Sequence, residues 1–261
     1  MAGRKKLKES INGIPRKDGE LLVQKSQNIL NLWRSGLSLA EFKIMDVYLA
    51  RIDSHRPERR LVKFTKGEIE HLLGVKKINK ATLEKRLEHL LGTVVDVPDI
   101  DYKRGFHKIT LFDESYGEED DNGTWTVHLE CTEKAMKYFF NIENLGYLRY
   151  KLRCVININS RYSYLLFLYI ENNRRRKSWE VDLDKLREIL NCNDEKYAKE
   201  FKYFNRDILM RSQKELKEKT ECRFDYEPIK KGRRITKIRF TVATLSDLEK
   251  KGKKEDPQIS L

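Results

Sequence analysis

The side chains best able to do chemistry in this sequence lie between residues 193 and 242, and the chemistry they suit is the gripping of a polyanion. On a 3.6-residue wheel, Lys199, Tyr203, Arg206, Met210, Lys214 and Lys217 share one face, while Phe201, Phe204, Ile208, Ser212 and Leu216 share the other. Lys202, Asn205 and Gln213 complete the polar candidates on this helix. Phe224 and Tyr226 then alternate with charged residues, Lys230, Lys231, Gly232, Arg233 and Arg234 form a tip, and Ile238, Phe240 and Val242 alternate again. A helix of this kind fits a DNA major groove, and a cationic hairpin beside it reaches phosphates. Arg206 and Lys202 are the candidates for guanine edges; Lys230, Lys231, Arg233 and Arg234 are the candidates for phosphates. The plain alternative is a solvated, lysine-rich surface helix.

The elements that must position these groups occur twice. In the second half, a helix from Ser160 carries Leu165, Leu166, Leu168, Tyr169 and Ile170, and the basic loop Arg174 to Lys177 follows. A strand at Trp179 to Val181 and an Asp182-capped helix with Leu186, Ile189 and Leu190 lead into the stretch above. In the first half, Leu22, Ile29, Leu30 and Trp33 suggest a packed segment. Ser38 and Glu41 make a capping box for a helix with Leu39, Phe42, Ile44, Met45, Tyr48, Leu49 and Ile52. Leu61 to Phe64 reads as a strand, Thr65 caps a helix with Ile69, Leu72 and Leu73 that Gly74 closes, and Asn79 starts a third helix. Lys76, Lys77, Asn79, Lys80, Thr82, Lys85 and Arg86 are its candidate DNA contacts.

Strands follow at Val94 to Val97, Phe106 to Phe112 and Thr124 to Leu129, with an acidic tip from Asp113 to Gly123 whose sign is wrong for phosphate. That tip reads as a solvated turn facing away from nucleic acid and toward protein; a metal-binding acidic cluster is the alternative. A helix from Thr132 to Phe140 and an extended run from Leu145 to Ile158 join the halves. Laying Phe64 to Gly74 over Val181 to Asn191 matches Ile69 with Leu186, Leu72 with Ile189 and Leu73 with Leu190. The pattern implies an α+β chain of two tandem winged-helix domains related by a degenerate duplication. The expected bounds are a flexible basic arm over 1–20, domains over 21–146 and 147–245, and a disordered basic tail over 246–261.

Composition agrees with a polyanionic partner: 261 residues carry a formal charge of +13 with 36% charged residues. No run reaches the 18 or so apolar residues of a membrane span, and the first residues lack an apolar signal core, so a cytoplasmic protein without membrane partners is expected. Cys131, Cys154, Cys192 and Cys222 form no C-x-x-C pair and His55, His71, His89, His107 and His128 no metal-ligand spacing. Neither a metal nor another cofactor is implied, and the thiols read as buried and reduced.

Several segments resemble the iteron-binding plasmid replication initiators. They are Leu22 to Asn28, Leu37 to Ile44, Tyr138 to Asn141, Asn159 to Ser163 and Tyr226 to Arg233, in that order across residues 22 to 244. The resemblance implies binding to directly repeated origin sequences in double-stranded DNA, a monomer-dimer equilibrium through the first domain, and autorepression by the dimer. It also implies origin opening with host replication initiator and helicase proteins, and base reading by the helix bearing Lys202, Tyr203, Asn205 and Arg206. Two rivals stand beside a noncatalytic initiator. One is a transcriptional regulator with the same folds; the other is a rolling-circle enzyme that nicks through a tyrosine, for which the paired histidines are missing.

Overall fold

The computed structural model describes residues 21–97, 106–192 and 194–242; the expected arm over 1–20 and tail over 246–261 lie outside them, as do the side chains of Trp33 and Leu72. By internal contacts the chain divides between Arg161 and Tyr162.

In the first unit, strand β1 (Leu22–Ser26) leads through a 3-10 turn to helix α1 (Leu39–Arg51). The Ser38 hydroxyl accepts from the Glu41 amide, and the Glu41 carboxylate accepts from the Ser38 amide at 2.6 Å, which completes the expected capping box. α1 is buried from Glu41 to Arg51, polar residues included. Such burial requires partners, and Asp46 finds one in Lys25 of β1 at 2.5 Å. Burial pulls the Lys25 ammonium below its ordinary pKa, against the pull of Asp46.

Strand β2 (Leu61–Thr65) runs into α2 (Lys66–Leu73), where Thr65 and Glu68 make a second capping box. α3 (Lys80–Gly92) follows, started by Asn79, whose Oδ1 accepts from the Thr82 amide at 2.7 Å. β3 (Val94–Asp96) pairs with β4 (Lys108–Thr110), whereas β5 (Phe112–Glu119) and β6 (Trp125–Cys131) join β2 in the order β2-β6-β5. α4 (Glu133–Phe139), β7 (Tyr147–Lys151) and the single turn α5 (Arg153–Ile156) complete the unit. Tyr48, Phe112 and Phe139 meet in its core with ring centroids 5.0 to 6.1 Å apart.

In the second unit, α6 (Arg161–Asn173) precedes β8 (Ser178–Asp182), α7 (Leu183–Ile189), α8 (Glu195–Lys199), α9 (Phe201–Phe204), a π-helical segment (Asn205–Met210) and α10 (Arg211–Lys219). β9 (Phe224–Lys231) and β10 (Arg234–Val242) close it in the order β8-β10-β9. Phe240 of the middle strand is the hub of its core, within 6.4 Å of the Tyr169, Trp179, Phe224 and Tyr226 rings. Both sheets therefore place the last strand between the first and the second. After α2, Gly74 sits at φ 67 and the Val75 amide donates to Glu70 O; after α7, Asn191 sits at φ 49 and the Cys192 amide donates to Arg187 O.

Several expectations need correction. The run from 193 to 219 is not one helix: Glu200, at φ −129 and ψ 114, breaks it. Leu145 to Ile158 is not one strand, since β7 ends at Lys151 and α5 follows, and β7 pairs antiparallel with β1. Both strands lie in the unit that ends at Arg161. The acidic stretch is mostly strand β5, with its turn confined to residues 120–124, because β4 leaves to pair with β3. Leu22 is 43% exposed while Val23 points inward, and Phe106 is 81% exposed. Asp182 stands at the start of α7 without a side-chain capping bond.

Candidate nucleic-acid interface

The candidate face of the second unit begins with the break at Glu200. Along an unbroken helix, residues 196 and 207 would stand roughly 16 Å apart. With the break, α8 folds back, and Lys196 Nζ lies 2.7 Å from Asp207 Oδ2. Arg206 meets the same carboxylate through Nε at 2.7 Å and Nη2 at 3.2 Å. Hydrogen bonds from Arg206 first, then from Lys196, hold the Asp207 carboxyl well below the ordinary carboxylate range. The Tyr203 ring has Lys202, Arg206 and Lys196 within 4.8, 5.3 and 5.4 Å of its centroid. Lys202 also pairs with Glu200 at 2.8 Å. Arg206 remains 61% exposed and Met210 52% exposed, so this surface is open to a partner.

Other members of the predicted set are fixed by the sheet. Asn205 Oδ1 accepts from the Tyr226 hydroxyl at 2.7 Å, which ties the π segment to β9. Gln213 donates to Phe224 O at 2.8 Å and to Asp225 Oδ1, so its amide is engaged in seating α10 on the hairpin. Lys214 is exposed near Glu218, and Lys199 pairs with Glu195 on α8, apart from α9.

The hairpin turns through Gly232 and Arg233, since Lys231 pairs with Arg234 across it. Of the two turn residues only Gly232 has positive φ, at 64, as a type II′ turn requires. Lys230, Lys231, Arg233 and Arg234 are all exposed. By contrast, the strand cations Lys237 and Arg239 pair with Glu180 at 3.7 and 2.8 Å. Sequence reading missed Lys196 and Asp207 because it assumed an unbroken helix.

In the first unit, α3 splits its candidates. Lys80 Nζ lies 4.3 Å from the Trp125 ring centroid and lines a cleft of about 330 Å³ between α3 and β5–β6, with Glu84 and Glu88 on the same stripe. Thr82 and Lys85 are exposed on other positions of the helix and Arg86 is half-buried. Asn79 spends its Oδ1 on the helix cap. Lys76 and Lys77 sit exposed on a loop pinned by Glu70, which accepts from Lys66 Nζ at 2.6 Å and from the Ile78 amide at 2.8 Å. Those two contacts hold the Glu70 carboxyl below its ordinary range.

Residues 22–171 match the family model for the initiator replication protein WH1 domain, and residues 182–242 match that for the initiator Rep protein WH2 domain. The chain belongs to this initiator family. It comprises two tandem winged helices, WH1 and WH2, and is mixed α and β. Among solved structures, the Pi initiator protein in complex with iteron DNA is similar with a TM-score of 0.67 at 20% identity, over 87% of this chain and 99% of that one. Domains 2 and 3 of RctB align with a TM-score of 0.47 at 11% identity, over 88% and 93%. A search of curated proteins finds no match. Among the described residues, no helix of this initiator is long and apolar enough to cross a membrane.

Proposed function

We propose that this chain is a plasmid replication initiator that binds directly repeated origin sequences, or iterons, in double-stranded DNA and makes or breaks no covalent bond. The observation that carries the reading is the WH2 face on which exposed Lys202 and Arg206 flank the half-buried Tyr203 ring, tied through Asn205 and Tyr226 to a wing whose tip is four exposed cations. The structurally similar Pi initiator protein was crystallised in complex with iteron DNA, which supports the same class of partner. Bound at its repeats, the initiator helps open the adjacent duplex and recruits host replication initiator and helicase proteins. A dimer formed through WH1 represses the initiator's own gene.

Footprinting on the DNA surrounding the gene tests this directly. Protection of several direct repeats beside an AT-rich tract is the expected result; a lone inverted repeat at a promoter would make the protein a regulator only. Incubation with the supercoiled origin and Mg²⁺ leaves the DNA intact, whereas a covalently attached nicked product would overturn the noncatalytic reading.

A further inference from the structure

We propose that Asp207 is the positioning residue for base reading: it holds one edge of the Arg206 guanidinium so that the other edge faces DNA, and it draws Lys196 into the same site. The inference rests on the reading of this face as the DNA-binding one.

The geometry is a two-point hold. Asp207 engages Arg206 through Nε at 2.7 Å and Nη2 at 3.2 Å. A guanidinium has five N–H donors in a planar fork, so this hold leaves the two Nη1 hydrogens and the second Nη2 hydrogen free. Those are the donors of the edge that pairs with guanine O6 and N7. Left alone, an arginine has many rotamers to lose on binding; held by a neighbouring carboxylate, it has already lost them. Asp207 itself is only 11% exposed and is fixed from the other side by Lys196 at 2.7 Å. The π segment helps the arrangement, since such turns re-aim side chains that a regular helix would direct elsewhere.

The idea separates cleanly from simple electrostatics. Removing the Asp207 charge adds one positive charge to the face that meets phosphate, which by itself tightens binding to any DNA. Loss of positioning instead weakens binding to the correct sequence alone. With full-length protein, Asp207→Asn is titrated against a duplex carrying the footprinted repeat and a scrambled duplex of equal length. The expected result is roughly a tenfold loss on the repeat, with unchanged or tighter binding to the scrambled duplex. Asp207→Glu, which keeps the charge, restores most of the discrimination. Adding Asp207→Asn to Arg206→Ala costs no further discrimination, because the two residues act as one unit.

If Asp207→Asn fails to fold, Asp207→Ser carries the test. It also removes the carboxylate that accepts from Arg206, and it should lose discrimination to a similar degree. Wild-type discrimination in Asp207→Asn or Asp207→Ser, equal tightening on both duplexes, or an additive loss in the double variant would overturn the inference and leave the initiator reading standing. Wild-type protein unable to tell the two duplexes apart would remove that reading and the inference with it.

Discussion

The two hairpins of this chain share a topology and differ in sign. In WH1, β5 and β6 pair beside β2, and the run from residue 113 to 121 contains Asp113, Glu114, Glu118, Glu119, Asp120 and Asp121 with no lysine or arginine. In WH2, β9 and β10 pair beside β8, and the tip is Lys230, Lys231, Gly232, Arg233 and Arg234. The turns differ as well. Asp120 Oδ1 accepts from the Asn122 and Thr124 amides at 3.0 and 2.7 Å to shape the longer acidic loop, while Gly232 suffices for the short basic one. Inward residues such as Leu129 and Phe240 are what a sheet needs in order to form. Outward residues are free to change, so one scaffold can carry a wing that attracts phosphate and a wing that repels it.

The largest effect should come from removing that difference. Changing Lys230, Lys231, Arg233 and Arg234 together to alanine should lower the slope of log K against log salt by about 0.9 per lost phosphate contact, or roughly three to four units if all four engage. Neutralising Glu114, Glu119 and Asp121 in the other wing should leave the slope unchanged. Titrations at several salt concentrations would decide it; equal slopes in the wild-type and the alanine-tip protein would show that the basic wing lies off the DNA.

The helices offer a second and smaller contrast. Arg206→Ala should cost roughly 1 to 3 kcal/mol on the specific repeat, about 5- to 150-fold, with little change on scrambled DNA. Lys85→Ala in WH1 should instead weaken both duplexes alike and reduce the salt slope by about one unit. A specific loss at Lys85 matching that at Arg206 would mean that both helices read bases.

Much of this contrast was legible before any coordinates, and what was not has identifiable causes. Capping boxes at Ser38 and Thr65 are local hydrogen-bond patterns, so sequence suffices to find them. Asp182 has the right residue type, yet its carboxylate makes no capping bond. Alternation at Leu148 and Tyr150 marked a strand correctly, but Leu152, Cys154 and Ile158 are buried from a turn, a short helix and a loop, which alternation cannot distinguish. The π segment did leave a trace. Phe204, Ile208, Ser212 and Leu216 are buried at a strict four-residue interval, which in a regular helix drifts by about 40° at each step. A wider turn at 205–210 absorbs that drift. The break at Glu200 left none, because glutamate is a good helix former and the pairing of Lys196 with Asp207 that accompanies the break is tertiary.

The smallest predicted effect asks whether the duplicated helices end alike. Gly74 after α2 and Asn191 after α7 both occupy the left-handed region, at φ 67 and 49, and both precede a residue whose amide bonds back across the helix end. A Cβ at Gly74 would meet no heavy atom within 4 Å, so substitution there tests backbone conformation without a clash. Alanine resists positive φ, and Gly74→Ala should cost about 1 kcal/mol in denaturant unfolding of the full chain. Asparagine tolerates that region, so Gly74→Asn should cost only a few tenths of that. Asn191→Gly should be close to neutral, because relief of strain is offset by the greater freedom of glycine in the unfolded chain. Equal losses for alanine and asparagine at position 74 would show that the two closures resemble each other in outline only, and that WH1 needs glycine for a reason WH2 does not share.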